Sequence, residues 1–121
     1  MNTPTPYRLK FSMNWNNKLN CAAFTTLRRH VDGRFVPGTD VLVVYKDKII
    51  GTARVMDVRI IGFAQIGRYT AFLDTGYDLP ETLNLVRLMY GADAEQKQYD
   101  LVLLRWVVPP IKPLEFTLKP I

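Results

Sequence analysis

Residues 41–61 read VLVVYKDKIIGTARVMDVRII, and no other stretch limits the fold so strongly. Val41 to Tyr45 is continuously apolar and rich in β-branched residues, as a strand covered on both faces requires. Lys46-Asp47-Lys48 is a tight polar connection, and Ile49 to Ile61 resumes as a second, longer strand, so the pair forms a β-hairpin. The long arm changes phase. With Ala53 and Val55 inward, Arg54 faces out; with Met56, Val58 and Ile60 inward, Asp57 and Arg59 face out. Val55 and Met56 are adjacent and cannot both point inward in a regular strand, so a bulge or bend is expected near them. Such a bend lets a small sheet curl toward a barrel.

The remaining segments supply elements around this hairpin. Tyr7, Leu9, Phe11 and Met13 alternate with Arg8, Lys10 and Ser12, the period of a strand with one buried face. NWNNKLN, residues 14–20, reads as a turn or short helical turn. Ala22 to Arg29 is a strand, and VDGRFVPGTD is turn punctuation. Phe63 to Leu73 reads as a short helix ending near Gly76. Leu79, Leu83, Val86 and Tyr90 recur on one helical face, opened by a D-x-x-E cap at Asp78 and Glu81 and stopped by Gly91. A polar loop, ADAEQKQ, leads to a buried strand over Tyr99 to Val108. From residue 109 the chain is an extended proline-rich tail, with Glu115 to Leu118 expected to pair at a sheet edge. The order β, β, β-hairpin, helix, helix, β, with no dividing linker, predicts one α+β domain over 1–121. Its core is a small, partly open β-barrel of about five to six strands with two short helices.

Composition removes several function classes. One cysteine and one histidine allow neither an intramolecular disulfide nor a Cys/His zinc site. Cys21 is expected to be a buried small hydrophobe. His30, beside Arg28 and Arg29, is expected in a surface turn with its protonation depressed. No G-x-G-x-x-G, Walker or H-E-x-x-H pattern occurs, so no cofactor and no metal is expected. MNTPTPYRLK has no signal-peptide character. The longest apolar run, Leu101 to Val108 broken by Arg105, is too short to span a bilayer, so a soluble, cytoplasmic protein without membrane partners is expected. The net charge of +5 is uneven. Residues 1–68 hold eleven Lys/Arg against four Asp/Glu, whereas residues 69–121 hold five against seven. A basic half favours polyanionic partners.

Three segments carry candidate chemistry. In FTTLRRH, Thr25, Thr26 and Arg28 could grip a phosphate or a base edge, because arginine offers a planar fork of donors. In NWNNKLN, Trp15 could stack on a base while Asn17 and Lys18 reach polar atoms. In GRYTAFLDTGYD, Arg68, Tyr69, Asp74 and Tyr77 could wall a cleft, with Asp74 as a proton acceptor. Against these stand ordinary roles: strand-forming threonines, a tryptophan lid, helix capping. Arg54 and Arg59 read as a solvated face.

The element order, with VPGTDVLVVY opening the hairpin and a YG-terminated helix feeding YDLVLLRW, resembles the ASCH domains of the PUA-like barrel superfamily. The likeness covers roughly Leu9 to Val108. The family marks its first loop and second strand with G-x-K-x-x-E-x-R, which falls here on CAAFTTLR. Arg28 matches the final arginine. Thr26 stands where glutamate usually stands, as threonine does in the acetylcytidine amidohydrolase members of the group. Cys21 replaces the glycine and Ala23 the lysine. In those amidohydrolases the resemblance implies a threonine nucleophile assisted by the lysine and a later glutamate. The nearest counterparts of that glutamate are Asp74 and Thr75. The cation nearest to Ala23 on its N-terminal side is Lys18, which reaches the site only if NWNNKLN folds back over it. The expected function is therefore a nucleic-acid or nucleotide binding module, with RNA the leading partner and DNA the second. The alternatives are an amidohydrolase acting on N4-acylated cytidine or similar modified nucleosides, with Thr26, Lys18 and Asp74 as its catalytic set, and a protein-interaction module forming homo-oligomers through the tail.

Overall fold

The hairpin at 41–61 becomes the middle of a single curled sheet. A computed structural model describes residues 6–114. Its strands are β1 (Arg8–Phe11), β2 (Ala23–Arg29), β3 (Asp40–Tyr45), β4 (Lys48–Gly62) and β5 (Gln98–Val108); α1 (Arg68–Thr75) and α2 (Leu79–Tyr90) lie between β4 and β5. The sheet order is β1-β3-β4-β5-β2. β1 runs parallel to β3 and every other pair is antiparallel. Lys46 and Asp47 have φ of +48° and +67°. Positive φ at both central residues is the two-residue turn whose twist matches that of the strands it joins.

The bend expected in the long strand is present. The register of β4 against β5 shifts between Val55 and Asp57, leaving Met56 without a partner, and shifts again between Thr52 and Ala53. A third irregularity lies between Val43 and Val44 of β3. The inward assignment of Met56 and Ile60 is corrected: both are exposed, and of that group only Val58 packs on the core. The extra residue at Met56 turns its side chain out. Ile60 keeps the face of Val58 but lies past the end of the covered region.

Repeated bulging curls the sheet into a half-barrel, so its two edge strands approach each other. The seam is bridged by a side chain: Arg28 Nη2 on β2 donates to the Lys10 carbonyl oxygen on β1 at 2.8 Å. One face of the sheet buries Leu9, Phe11, Phe24, Val43, Val55 and Leu104. The other buries Leu27 and Tyr99 beneath Phe63, Ile66 and Val86, so α2 covers that face. The D-x-x-E cap forms, with the Asp78 side chain accepting from the Glu81 amide at 2.9 Å. α1 ends at Gly76 in the left-handed region, φ +81°, where glycine carries no penalty.

Other expectations are adjusted. β1 is shorter than residues 7–13, and the polar loop before β5 holds a 3₁₀ turn, Ala94–Gln96. Cys21 is exposed rather than buried, because it lies in the bend between the Asn-rich turn and β2. The start of the tail folds onto its own chain: the Leu114 amide and carbonyl bond the Asn20 side chain at 2.7 and 3.0 Å. The pairing expected at Glu115 to Leu118 lies outside the described residues. Among the described residues no helix is long and apolar enough to cross a membrane.

Candidate functional site

A hollow opens at the seam where the edge strands meet, walled by β1, the 3₁₀ segment, β2, the end of α1 and one side of α2; three of these segments carry its sequence-predicted residues. The first is the 3₁₀ segment Trp15–Asn20. Asn16 and Asn17 take φ of +56° and +54°, a region that asparagine tolerates better than most side chains. Fully buried Asn14 accepts the Leu19 amide at 2.8 Å on Oδ1. Asn16 Nδ2 donates to the Leu73 carbonyl at the end of α1 at 3.2 Å, and Trp106 Nε1 donates to the Leu19 carbonyl at 3.2 Å. These anchors fold the loop back and aim Lys18 inward, where only 4% of it is exposed.

α1 supplies the partner. Lys18 Nζ donates to Asp74 Oδ1 at 2.9 Å, and Thr25 Oγ1 donates to the same oxygen at 2.9 Å. β2 supplies the rest. Alternation places Thr26 and Arg28 on one face and Thr25 on the other, and Arg28 Nε donates to Thr26 Oγ1 at 2.8 Å. The Arg28 guanidinium carbon lies 4.7 Å from the centre of the Phe11 ring and Lys18 Nζ lies 5.4 Å from it, so two cations share one aromatic ring.

The hollow has a volume of about 80 Å³, and its lining includes Phe11, Trp15, Lys18, Thr26, Arg28 and Asp74. That is roughly half of the ~150 Å³ needed to hold benzene. The enclosed space is small beside a whole nucleoside. Burial pushes the Lys18 ammonium below the ordinary lysine value, and the charge and hydrogen bond of Asp74 oppose that shift. Burial also lowers Arg28, which stays charged at neutral pH. Tyr90, another lining residue, is raised by burial, with the Arg28 charge opposing.

The predicted site residues divide. Trp15, Lys18, Thr26, Arg28 and Asp74 line one hollow, and Thr25 bonds Asp74 from behind it. Tyr77 is not in the lining but backs Trp15 edge-on, with ring centres 6.1 Å apart. Asn17 serves the turn, its amide donating to the Asn14 carbonyl at 3.0 Å. Arg68 and Tyr69 do not reach the hollow. They occupy the first turn of α1, exposed, and Asp74 is about 8–9 Å farther along the axis at 1.5 Å per residue. The wall expected from GRYTAFLDTGYD is therefore made by Asp74 and Thr75 alone.

Sequence reasoning missed Phe11, Thr82, Met89 and Tyr90 as lining residues. The 3.6-residue period marked Tyr90 as a core position, and the one signal for more was its place at the helix end. His30 also differs from expectation. Its Nδ1 lies 2.7 Å from Asp100 Oδ1 and its Nε2 lies 2.6 Å from Asp32 Oδ1. These acceptors raise its pKa, where two neighbouring arginines were expected to lower it. Arg54 pairs with Asp40 at 2.8 Å and Arg59 with Asp57 at 3.6 Å, so both arginines of β4 have an acidic partner. Among the described residues no group of three or more His, Cys, Asp or Glu side chains could hold a metal ion. Comparison with family models, with curated proteins and with solved structures finds no match for this chain.

Proposed function

We propose that the seam hollow receives the polar edge of a nucleobase, and that the protein is a nucleotide or nucleic-acid binding module of the ASCH, PUA-like type, with RNA as its leading ligand. One observation carries this reading: Trp15, Lys18, Thr26, Arg28 and Asp74, from three segments, line a single hollow. Lys18 and Arg28 donate to a base carbonyl or ring nitrogen. Thr26 donates or accepts, and Asp74 accepts from an exocyclic amine. Trp15 offers a face for the ring, which stays at the mouth while its edge enters. The curled five-strand half-barrel is consistent with the partly open barrel that the resemblance implies. Fluorescence polarisation with a labelled heptaribonucleotide at low salt tests the reading. Saturable binding is expected, weakened about tenfold by Trp15→Ala, since base stacking contributes about 1–3 kcal/mol. No affinity for RNA, DNA or any nucleoside ends it.

A second reading, an amidohydrolase of N4-acylated cytidine, is favoured by one feature. Lys18, outside the motif in sequence, folds back to line the hollow with Thr26, Arg28 and Asp74, its Nζ 2.9 Å from Asp74 Oδ1. In its neutral form, Lys18 takes the Thr26 hydroxyl proton as Oγ1 attacks the acyl carbonyl. The exocyclic amine leaves with a proton, and water then hydrolyses the threonyl ester. Asp74 orients Lys18, and Arg28 favours the charged oxygen. Release of cytidine from N4-acetylcytidine, lost in Thr26→Ala and retained in Thr26→Ser, is the expected result. Equal turnover by Thr26→Ala excludes this mechanism.

A further inference from the structure

A second groove adjoins the seam hollow. It has a volume of about 620 Å³ and is lined by Pro6, Tyr7, Arg8, Lys10 and Arg28, the last two shared with the hollow itself. Every formally charged side chain in this lining is a cation. Arg34 adds another, its guanidinium carbon 5.4 Å from the centre of the Tyr7 ring. Among the described residues, none of Arg8, Lys10, Arg28 and Arg34 takes part in a salt bridge. Other described cations outside the groove are also without a salt bridge, Arg29, Lys46, Lys48, Arg68, Arg105 and Lys112 among them; what distinguishes Arg8, Lys10 and Arg28 is that they line one concavity. Uncompensated cations gathered around one concavity attract an anion.

Two geometric features fit phosphate. Arg28 spends one N–H on Thr26 and one on the Lys10 carbonyl, and three of the five N–H groups of a guanidinium lie outside those bonds. Arg8 and Lys10 are alternate residues of β1, so they share one face and stand about 6.6 Å apart along it. That suits one phosphate, or two neighbours on an extended strand. Lys10 and Arg28 border both spaces, so a cationic groove lies beside the hollow proposed for the base edge.

We propose that the groove of Arg8, Lys10 and Arg28 is a phosphate subsite, so that the ligand is a phosphorylated nucleoside, free or within a strand, and not a bare nucleoside. This rests on the base-edge reading of the hollow. Calorimetric titration of the full chain with the four ribonucleosides, their 3′- and 5′-monophosphates and a mixed-sequence heptaribonucleotide tests it. A phosphorylated ligand is expected to bind at least tenfold tighter than its nucleoside at low salt. Arg8→Glu, an exposed substitution whose folding is checked by melting, should abolish the gain and leave nucleoside affinity unchanged. A gain already present with a monophosphate identifies a free nucleotide; a gain confined to the heptamer identifies the internal phosphodiester. Equal binding of nucleoside and all phosphorylated forms, or a gain that survives Arg8→Glu, overturns the subsite while the base-edge reading stands. If no nucleoside, nucleotide or RNA binds, the base-edge reading fails and the subsite fails with it.

Discussion

At the scale of single residues, the seam depends on charge taken out of water. Lys18 and Asp74 keep 5% and 10% of their side-chain surface exposed, and each is the other's nearest opposite charge. Removing one member of such a pair strands the other. Asp74→Ala is therefore expected to cost about 3–5 kcal/mol in urea denaturation, and the double variant Lys18→Met/Asp74→Leu should recover much of that loss. The sequence could group the two residues only through the family resemblance and on the condition that NWNNKLN folds back; local pattern did not dictate it. The two residues are 56 positions apart, and what joins them is the left-handed backbone at Asn16 and Asn17, which a string of asparagines permits but does not dictate. His30 shows another failure: Arg28 and Arg29 precede it, but its ring bonds Asp32, two residues on, and Asp100, seventy positions away on β5. Because its folded pKa is raised, its contribution to stability is complete below the ordinary value of 6.5 and is lost as pH climbs through the raised value. Wild-type melting temperature should fall across that interval, whereas His30→Asn should show no such step. Parallel profiles would remove the linkage.

At the scale of elements, most of the skeleton could be read directly. The hairpin, the bulge beside Met56, the capped helix at 79–90 and the last strand all follow from local period and turn chemistry. Partnership could not be read this way. β2 lies beside β5 and β1 beside β3, and those choices depend on how far β4 bends, a property of the assembled sheet. Gly51 exposes one such constraint. A Cβ there would overlap the Val108 carbonyl oxygen and lie 2.9 Å from Trp106 Cζ3. The obstacle is mostly backbone, so relief requires β4 and β5 to part locally. Gly51→Ala should destabilise by about 1–3 kcal/mol, the usual range for forcing extra atoms into a packed site. Chemical denaturation measures it, and a neutral outcome would show that the strand ends yield freely.

At the scale of the whole molecule, the uneven charge becomes spatial. The basic N-terminal half supplies β1 and β2, and therefore both margins of the seam. Composition pointed toward a polyanion, but only the curl of the sheet shows where the cations gather. With roughly three of them on phosphate, the logarithm of the RNA association constant should fall with the logarithm of salt with a slope of about −2, near 0.7 per contact on a single strand. A slope indistinguishable from zero would mean that binding owes nothing to phosphate.

The bridge from Arg28 to the Lys10 carbonyl has one more consequence. A half-barrel joined across its gap by a guanidinium instead of a ladder keeps main-chain donors and acceptors along both margins, the template on which sheets from separate copies zip together. Arg8 and Lys10 stand along one margin, and Arg28 and Arg29 along the other. Like charges on facing copies repel, so the same side chains that would draw in an anion also oppose edge-to-edge pairing of separate copies.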